Sequence, residues 1–353
     1  MIIQSDVLLS IHKYIWLVFN NSRRNFAAMT HLFISSHETG GGGDCLFSSI
    51  AYALHEWQSK HHELSGTVLH HHHHHAELQQ QMVALCQMLA VGQIDHMGNA
   101  QFSAWDFRCL AYSGFLERNE VTDATLQAWH ALALCEVDTG SGAVEAIPQL
   151  APIMTIMKRD KCTDTPRDTR VSIVAMLLDA TRFWGEEVAL HVLEMLFPLR
   201  FIVVAGDACA TSAGTCREPV VASMSNILRY DTDVLTDPSA VLYVWLMLQG
   251  DGSFSGHYRA VTVSPSPTTT ATDAATPTYI DGMTCMTFEE LPEWLATSID
   301  ALAALKNARG QRHPSADAIQ YPAHVAHVHP FLHHVCRCVR VVNNACARRS
   351  GRH

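Results

Sequence analysis

Eight consecutive residues, Val241 to Leu248 (Val-Leu-Tyr-Val-Trp-Leu-Met-Leu), carry no charge and form the most apolar piece of the chain. A membrane-crossing helix needs about 18 such residues, so a run of this length reads as a buried strand. The glycine-containing stretch Gln249 to Gly256 follows, and then His257 to Val263 alternates as a second strand that pairs with the first in a hairpin. Leu199 to Val204 reads as a third buried strand, preceded by a helix that Trp184-Gly185-Glu186-Glu187 opens and that runs to about Phe197. With 353 residues, 48% of them hydrophobic and 16% charged, the chain has ample material for a core and is not a disordered or coiled-coil sequence. The expected fold class is α+β with α/β-like character, a small central sheet flanked by helices.

The glycine run Gly40 to Gly43 marks a second boundary. Directly after it, Leu46, Phe47, Ile50, Ala51 and Leu54 recur at helical spacing, which places Asp44 at the N-cap and Cys45 at the first helical residue. From His55 to His75 the sequence turns polar and holds nine histidines, and this stretch reads as a surface loop. Helical pattern resumes over 76–91 and near 126–134, whereas 138–142 and 158–170 read as connections. The segment Ser264 to Thr278 is made of Ser, Pro, Thr and Ala apart from Asp273, a linker composition. Phe288 to Leu305 reads as one helix, and basic residues dominate beyond Lys306. The expected organisation is therefore an N-terminal extension (1–36), a catalytic-type core (37–264), a linker (265–280), and a helix followed by a basic, His-rich tail (281–353).

Charge and thiol usage narrow the class further. The net charge of −10 argues against a protein that coats nucleic acid, leaving the basic tail as the one segment suited to RNA or acidic partners. Eleven scattered cysteines in a chain this long do not make a disulfide framework, so the thiols are expected to be reduced. No membrane partner is expected, and the expected location is the cytoplasm or nucleus.

Chemistry centres on Cys45. A thiol in the first turn of a helix faces free main-chain N–H groups and the positive end of the peptide dipoles, which favour the thiolate. The glycines before it permit close backbone approach, so N–H groups at Gly42, Gly43 and Cys45 are candidates for an oxyanion hole. The nucleophile requires a base, and among 23 histidines His257 stands at the start of an apolar strand, where a sheet end holds a side chain rigidly.

Gly41-Gly42-Gly43-Asp44-Cys45-Leu46-Phe47, then Trp184-Gly185-Glu186-Glu187 leading into Ile202-Val203-Val204, then His257-Tyr258, resemble in order and context the three sequence blocks of the ovarian tumour (OTU) cysteine proteases. The resemblance covers roughly residues 40–264, with insertions between Trp57 and Val171. It implies a thiol-dependent isopeptidase that removes ubiquitin or a ubiquitin-like modifier through a thioester on Cys45, without metal or cofactor. Its partners would be ubiquitin or a relative and their conjugates.

Two departures stand out. The family usually has an Asp three residues before the nucleophile, where this chain has Gly42, and the polar residue two after the histidine is Arg259, which accepts no hydrogen bond. The residue that orients His257 is thus open among Asp44, which also suits a helix cap, and a carboxylate of the N-terminal segment such as Asp6 or Glu38. A missing acid would instead mark a catalytically weakened ubiquitin-binding or scaffold protein. Trp184 and Gly185 are expected to be structural, closing the helix against the sheet. The contiguous run His70 to His75 lacks the spacing of a tetrahedral metal site. The tail set His324, His327, His329, His333, His334, Cys336 and Cys338 is the leading non-enzymatic alternative, a zinc module, although its spacing matches no standard finger.

Overall fold

The apolar runs of the sequence become neighbouring strands. A computed structural model of the chain describes residues 32–41, 43–64, 72–89, 91–116, 122–123, 125–127, 129, 153, 155, 167–185, 187–206, 220–222, 227–230, 238–249, 256–265 and 282–300. Among these, β4 (Leu199–Gly206) and β7 (Leu242–Gln249) pair in parallel, with Phe201 opposite Val244 and Ile202 opposite Trp245. β8 (His257–Pro265) returns antiparallel to β7, as the hairpin pattern predicts. β1 (Leu32–His37) continues the sheet on the far side of β8, followed by β5 (Val220–Ala222), while β6 (Ile227–Tyr230) closes the edge beside β4. The result is an open mixed sheet in a mixed helix-and-sheet fold.

Period-two alternation divides the sheet residues between two apolar layers. Leu199, Phe201, Val203, Leu242, Val244 and Leu246 face a helical layer. That layer contains α1 (Cys45–Leu64), α2 (His72–Leu89), α3 (Ala104–Ser113), α4 (Arg167–Leu177) and α5 (Glu187–Leu196). A small hairpin of β2 (Gln93–Ile94) and β3 (Ala100–Gln101) joins α2 to α3, and the Ser103–Asp106 capping box starts α3. The alternate residues, Ile202, Val204, Tyr243, Trp245 and Met247, face the opposite way.

That second face is covered by the segment 282–300. Its short β9 (Cys285–Met286) pairs with β7, and Leu291, Trp294, Leu295 and Ile299 pack into the same layer as Trp245. Thr284 Oγ1 donates to the Ala53 carbonyl of α1 at 2.7 Å, and Lys60 Nζ donates to the Gly282 carbonyl at 2.6 Å. Among the described residues the packed body is therefore wider than the expected 37–264: it includes strand β1 and the segment 282–300. The expected single helix Phe288 to Leu305 is interrupted by Pro292, giving a 3₁₀ turn (Phe288–Glu290) and a separate helix, α6, over described residues 293–300.

The polar stretch His55 to His75 is also corrected. It is not a single surface loop, because Leu54, Trp57 and Gln58 continue the buried face of α1 on either side of the exposed His55, and α2 begins at His72. His75 is buried: its Nδ1 accepts from Trp57 Nε1 at 3.2 Å and its Nε2 lies 3.2 Å from Glu290 Oε1, joining α1, α2 and the C-terminal cover. Likewise α4 starts at Arg167, inside the expected connection 158–170, because Arg170 is buried against the Phe115 carbonyl and Asp123. The basic tail and its His/Cys set, the linker 266–281, Asp6 and Gly42 lie outside the described residues. No helix among the described residues is long and apolar enough to cross a membrane.

Candidate active site

Cys45 is the first residue of α1, and the backbone brings it there through a turn that only glycine can make. Gly43 has φ +94°, and a Cβ on it would meet the Ala180 carbonyl oxygen at 1.9 Å and Trp184 Cδ1 at 2.8 Å. The Asp44 carbonyl accepts the first helical bond from Ser48 N–H at 2.8 Å, which makes Asp44 the N-cap residue by its backbone. Trp184 stands over Gly43 rather than against the sheet, and Gly185 is pressed on Leu46 with no room for a side chain. The Trp-Gly pair therefore shapes the turn that carries Cys45.

The Cys45 side chain is almost enclosed, with 5% of the residue exposed. Burial pushes its thiol upward, and this outweighs the main-chain N–H groups of Tyr258, Leu46 and Cys45, which favour the thiolate; the charge of Glu38 adds to the rise. The downward shift expected from the helix start alone is thus reversed by desolvation. α1 packs against β8, and the main-chain N–H of Tyr258, the residue next to His257, is among the groups that act on the thiol. Among the described residues Cys45 and His257 make no direct hydrogen bond.

His257 begins β8, and its Nε2 lies 2.8 Å from Glu38 Oε1. A carboxylate accepts only, so Nε2 is the donor in this bond, and in the neutral ring Nδ1 keeps the lone pair. Glu38 reaches this position through strand register. β1 pairs with β8 so that His37 lies opposite Ala260; one step further, Glu38 falls beside Arg259 and diagonal to His257. Arg259 Nη2 binds the other carboxylate oxygen, Oε2, at 3.0 Å. Arg259 accepts nothing from the imidazole, and its place in the geometry is to hold the carboxylate that does.

Asp44, the other candidate for that role, points elsewhere. Its Oδ1 accepts from Arg108 Nε at 2.6 Å. Arg108, on α3, is fully buried and also donates to the carbonyls of Gly43 (Nη2, 2.7 Å), Leu177 (Nη1, 2.6 Å) and Phe183 (Nη1, 3.0 Å). Its guanidinium lies 4.9 Å from the Phe47 ring centroid. The sequence reading passed over Arg108. The available signal was a lone Arg within the apolar stretch Phe107-Arg108-Cys109-Leu110-Ala111-Tyr112, since a buried arginine is kept only with partners.

Among the described residues no group of three or more His, Cys, Asp or Glu side chains is arranged to hold a metal ion. Cys45, Cys86, Cys109 and Cys285 are free and buried. Burial pushes the Cys86 and Cys285 thiols upward, as it does that of Cys45.

Compared with family models, with curated proteins and with solved structures, the chain has no match. The functional reading consequently rests on the residues themselves.

Proposed function

We propose that the chain is a thiol hydrolase of the OTU type that cleaves isopeptide bonds to ubiquitin or a ubiquitin-like modifier. The single observation that carries this reading is the Nε2–Oε1 bond of 2.8 Å between His257 and Glu38, at the start of β8, the strand against which the Cys45 helix packs. It supplies the orienting carboxylate that the sequence pattern lacks at position 42, and it leaves Nδ1 as the free base.

In this mechanism the Cys45 thiol gives its proton to His257 Nδ1 as sulfur attacks the carbonyl carbon of the modifier's C-terminal glycine. A C–S bond forms, and the carbonyl π electrons move to oxygen, where main-chain N–H groups at the start of α1 receive the charge. The tetrahedral adduct collapses, the C–N bond breaks, and the departing lysine amine takes the proton from the imidazolium. Water, deprotonated by the same imidazole, then cleaves the thioester and restores the thiol. Glu38 holds the ring in one tautomer and stabilises the imidazolium that forms in both halves. Burial of the thiol favours its protonated form, so in this reading proton transfer to His257 accompanies the attack.

A second reading, a ubiquitin-binding module without turnover, is favoured by one observation: the thiol is 5% exposed and pushed upward by burial. Steady-state hydrolysis of ubiquitin–aminomethylcoumarin separates the two. The hydrolase reading expects turnover that Cys45→Ala and His257→Ala each abolish; wild-type protein that binds ubiquitin but releases no coumarin overturns it.

A further inference from the structure

The fully buried Arg108 is costly to place, because a guanidinium taken out of water must find partners for its donors, and an apolar side chain of similar size packs at lower cost. What an apolar residue cannot do is tie together three separate stretches of chain. Arg108 holds the glycine turn at the Gly43 carbonyl, the end of α4 at Leu177, and the loop before α5 at Phe183, while the Asp44 carboxylate fixes its Nε.

The Gly43 contact has a consequence for the other side of the same peptide group. The Gly43–Asp44 bond is trans and planar, so its N–H points opposite to its C=O. With the Gly43 carbonyl turned inward to Arg108 at 2.7 Å, the Asp44 N–H is turned away from the interior, and among the described residues it makes no hydrogen bond. Glycine at position 43 does not by itself hold this orientation, since its backbone tolerates the rotations that flip a peptide. A flip would place a carbonyl oxygen where the N–H now stands, which repels a developing oxyanion.

We infer that Arg108 is a positioning residue: it fixes the Gly43–Asp44 peptide so that the Asp44 N–H serves as an oxyanion donor beside Cys45. This assigns the donor to Asp44 N–H in place of the N–H of Gly43, and gives the Asp44 side chain the task of orienting Arg108. The inference rests on the thiol-hydrolase reading above.

Two rates measured on the full chain test it. Alkylation of Cys45 by iodoacetamide requires the thiolate and no oxyanion donor, whereas turnover of ubiquitin–aminomethylcoumarin requires both. Arg108→Lys cannot span four acceptors; kcat is expected to fall roughly 10²–10³-fold with KM little changed, the loss typical of one oxyanion donor, while alkylation proceeds at the wild-type rate. Should that variant not fold, Asp44→Ala frees Nε and is expected to give the same split with a smaller drop, and Asp44→Asn, which keeps an oxygen acceptor, a smaller drop again. Unchanged kcat in Arg108→Lys overturns the inference, and so does a fall in alkylation that matches the fall in kcat, which marks Arg108 as purely structural. Wild-type protein that alkylates but never turns over fails in a different arm and removes the hydrolase reading first.

Discussion

Glu38 and Asp44 stand seven and one residues before Cys45, carry the same functional group, and each pairs with an arginine. Their surroundings differ. Asp44 faces a fully buried Arg108 that gives three further hydrogen bonds to carbonyls, and its own side chain is 33% exposed. Glu38 is 51% exposed and divides its two oxygens between His257 and Arg259 at the sheet end. The first carboxylate is bound into the fold, and the second is accessible and shared with a base. Proximity to Cys45 along the chain therefore does not decide which carboxylate meets His257; strand register does, by carrying Glu38 to a residue 219 positions away.

The largest expected effect tests the exposed pair. Glu38→Gln keeps the shape and removes the charge that steadies an imidazolium, so kcat on a ubiquitin–coumarin substrate is expected to fall roughly 10²–10⁴-fold. Stability is expected to change by less than about 1 kcal/mol, since exposed ion pairs contribute little. A large loss of stability with retained kcat would invert the comparison. Asp44→Ala probes the other side: it leaves a buried guanidinium without its counter-charge and is expected to cost about 3 kcal/mol in urea unfolding, the lower end of the range because Asp44 is part exposed. A cost near zero would mean that Arg108 is held by its carbonyls alone.

Smaller effects sharpen the contrast. Alkylation of Cys45 should rise with pH and reach half its limit above the ordinary thiol value, because burial favours the protonated form. The same raised pKa means that the folded state holds this proton more tightly than the unfolded chain. The stability it contributes is present below the unfolded thiol's pKa and is lost as pH rises toward the folded one. A titration midpoint in the neutral range would contradict the desolvated site. The smallest effect belongs to Arg259→Met, which frees one oxygen of Glu38; kcat is expected to fall no more than about fivefold, in line with an exposed pair worth at most about 1 kcal/mol.

The sequence made some of this legible for identifiable reasons. Strands β4 and β7 are apolar on both faces, so their runs stand out, β8 shows by its alternation after a glycine-containing turn, and the Asp44-Cys45 helix start follows from capping chemistry. Strand β1 is short and mixed, Leu-Phe-Ile-Ser-Ser-His, and nothing local tells that it lies between β8 and β5. Without that placement Glu38 is one candidate among several. The cover formed by Leu291, Trp294, Leu295 and Ile299 falls outside the core expected from sequence because a Ser/Thr/Pro-rich stretch separates it from β8, although it packs on one face of the sheet. Beyond Leu54 the described part of α1 buries only Trp57 and Gln58, too few within a histidine-rich sequence to show a helical period. Arg108 escaped because its value lies in three carbonyls supplied by distant segments, a pattern no spacing records.

The most direct test of the central claim is covalent labelling of the full chain with ubiquitin carrying a C-terminal electrophile, followed by peptide mapping. A single adduct on Cys45, lost in Cys45→Ala and formed far more slowly in Glu38→Gln, is the predicted result. Labelling of another cysteine, or none at all in correctly folded protein, would contradict it.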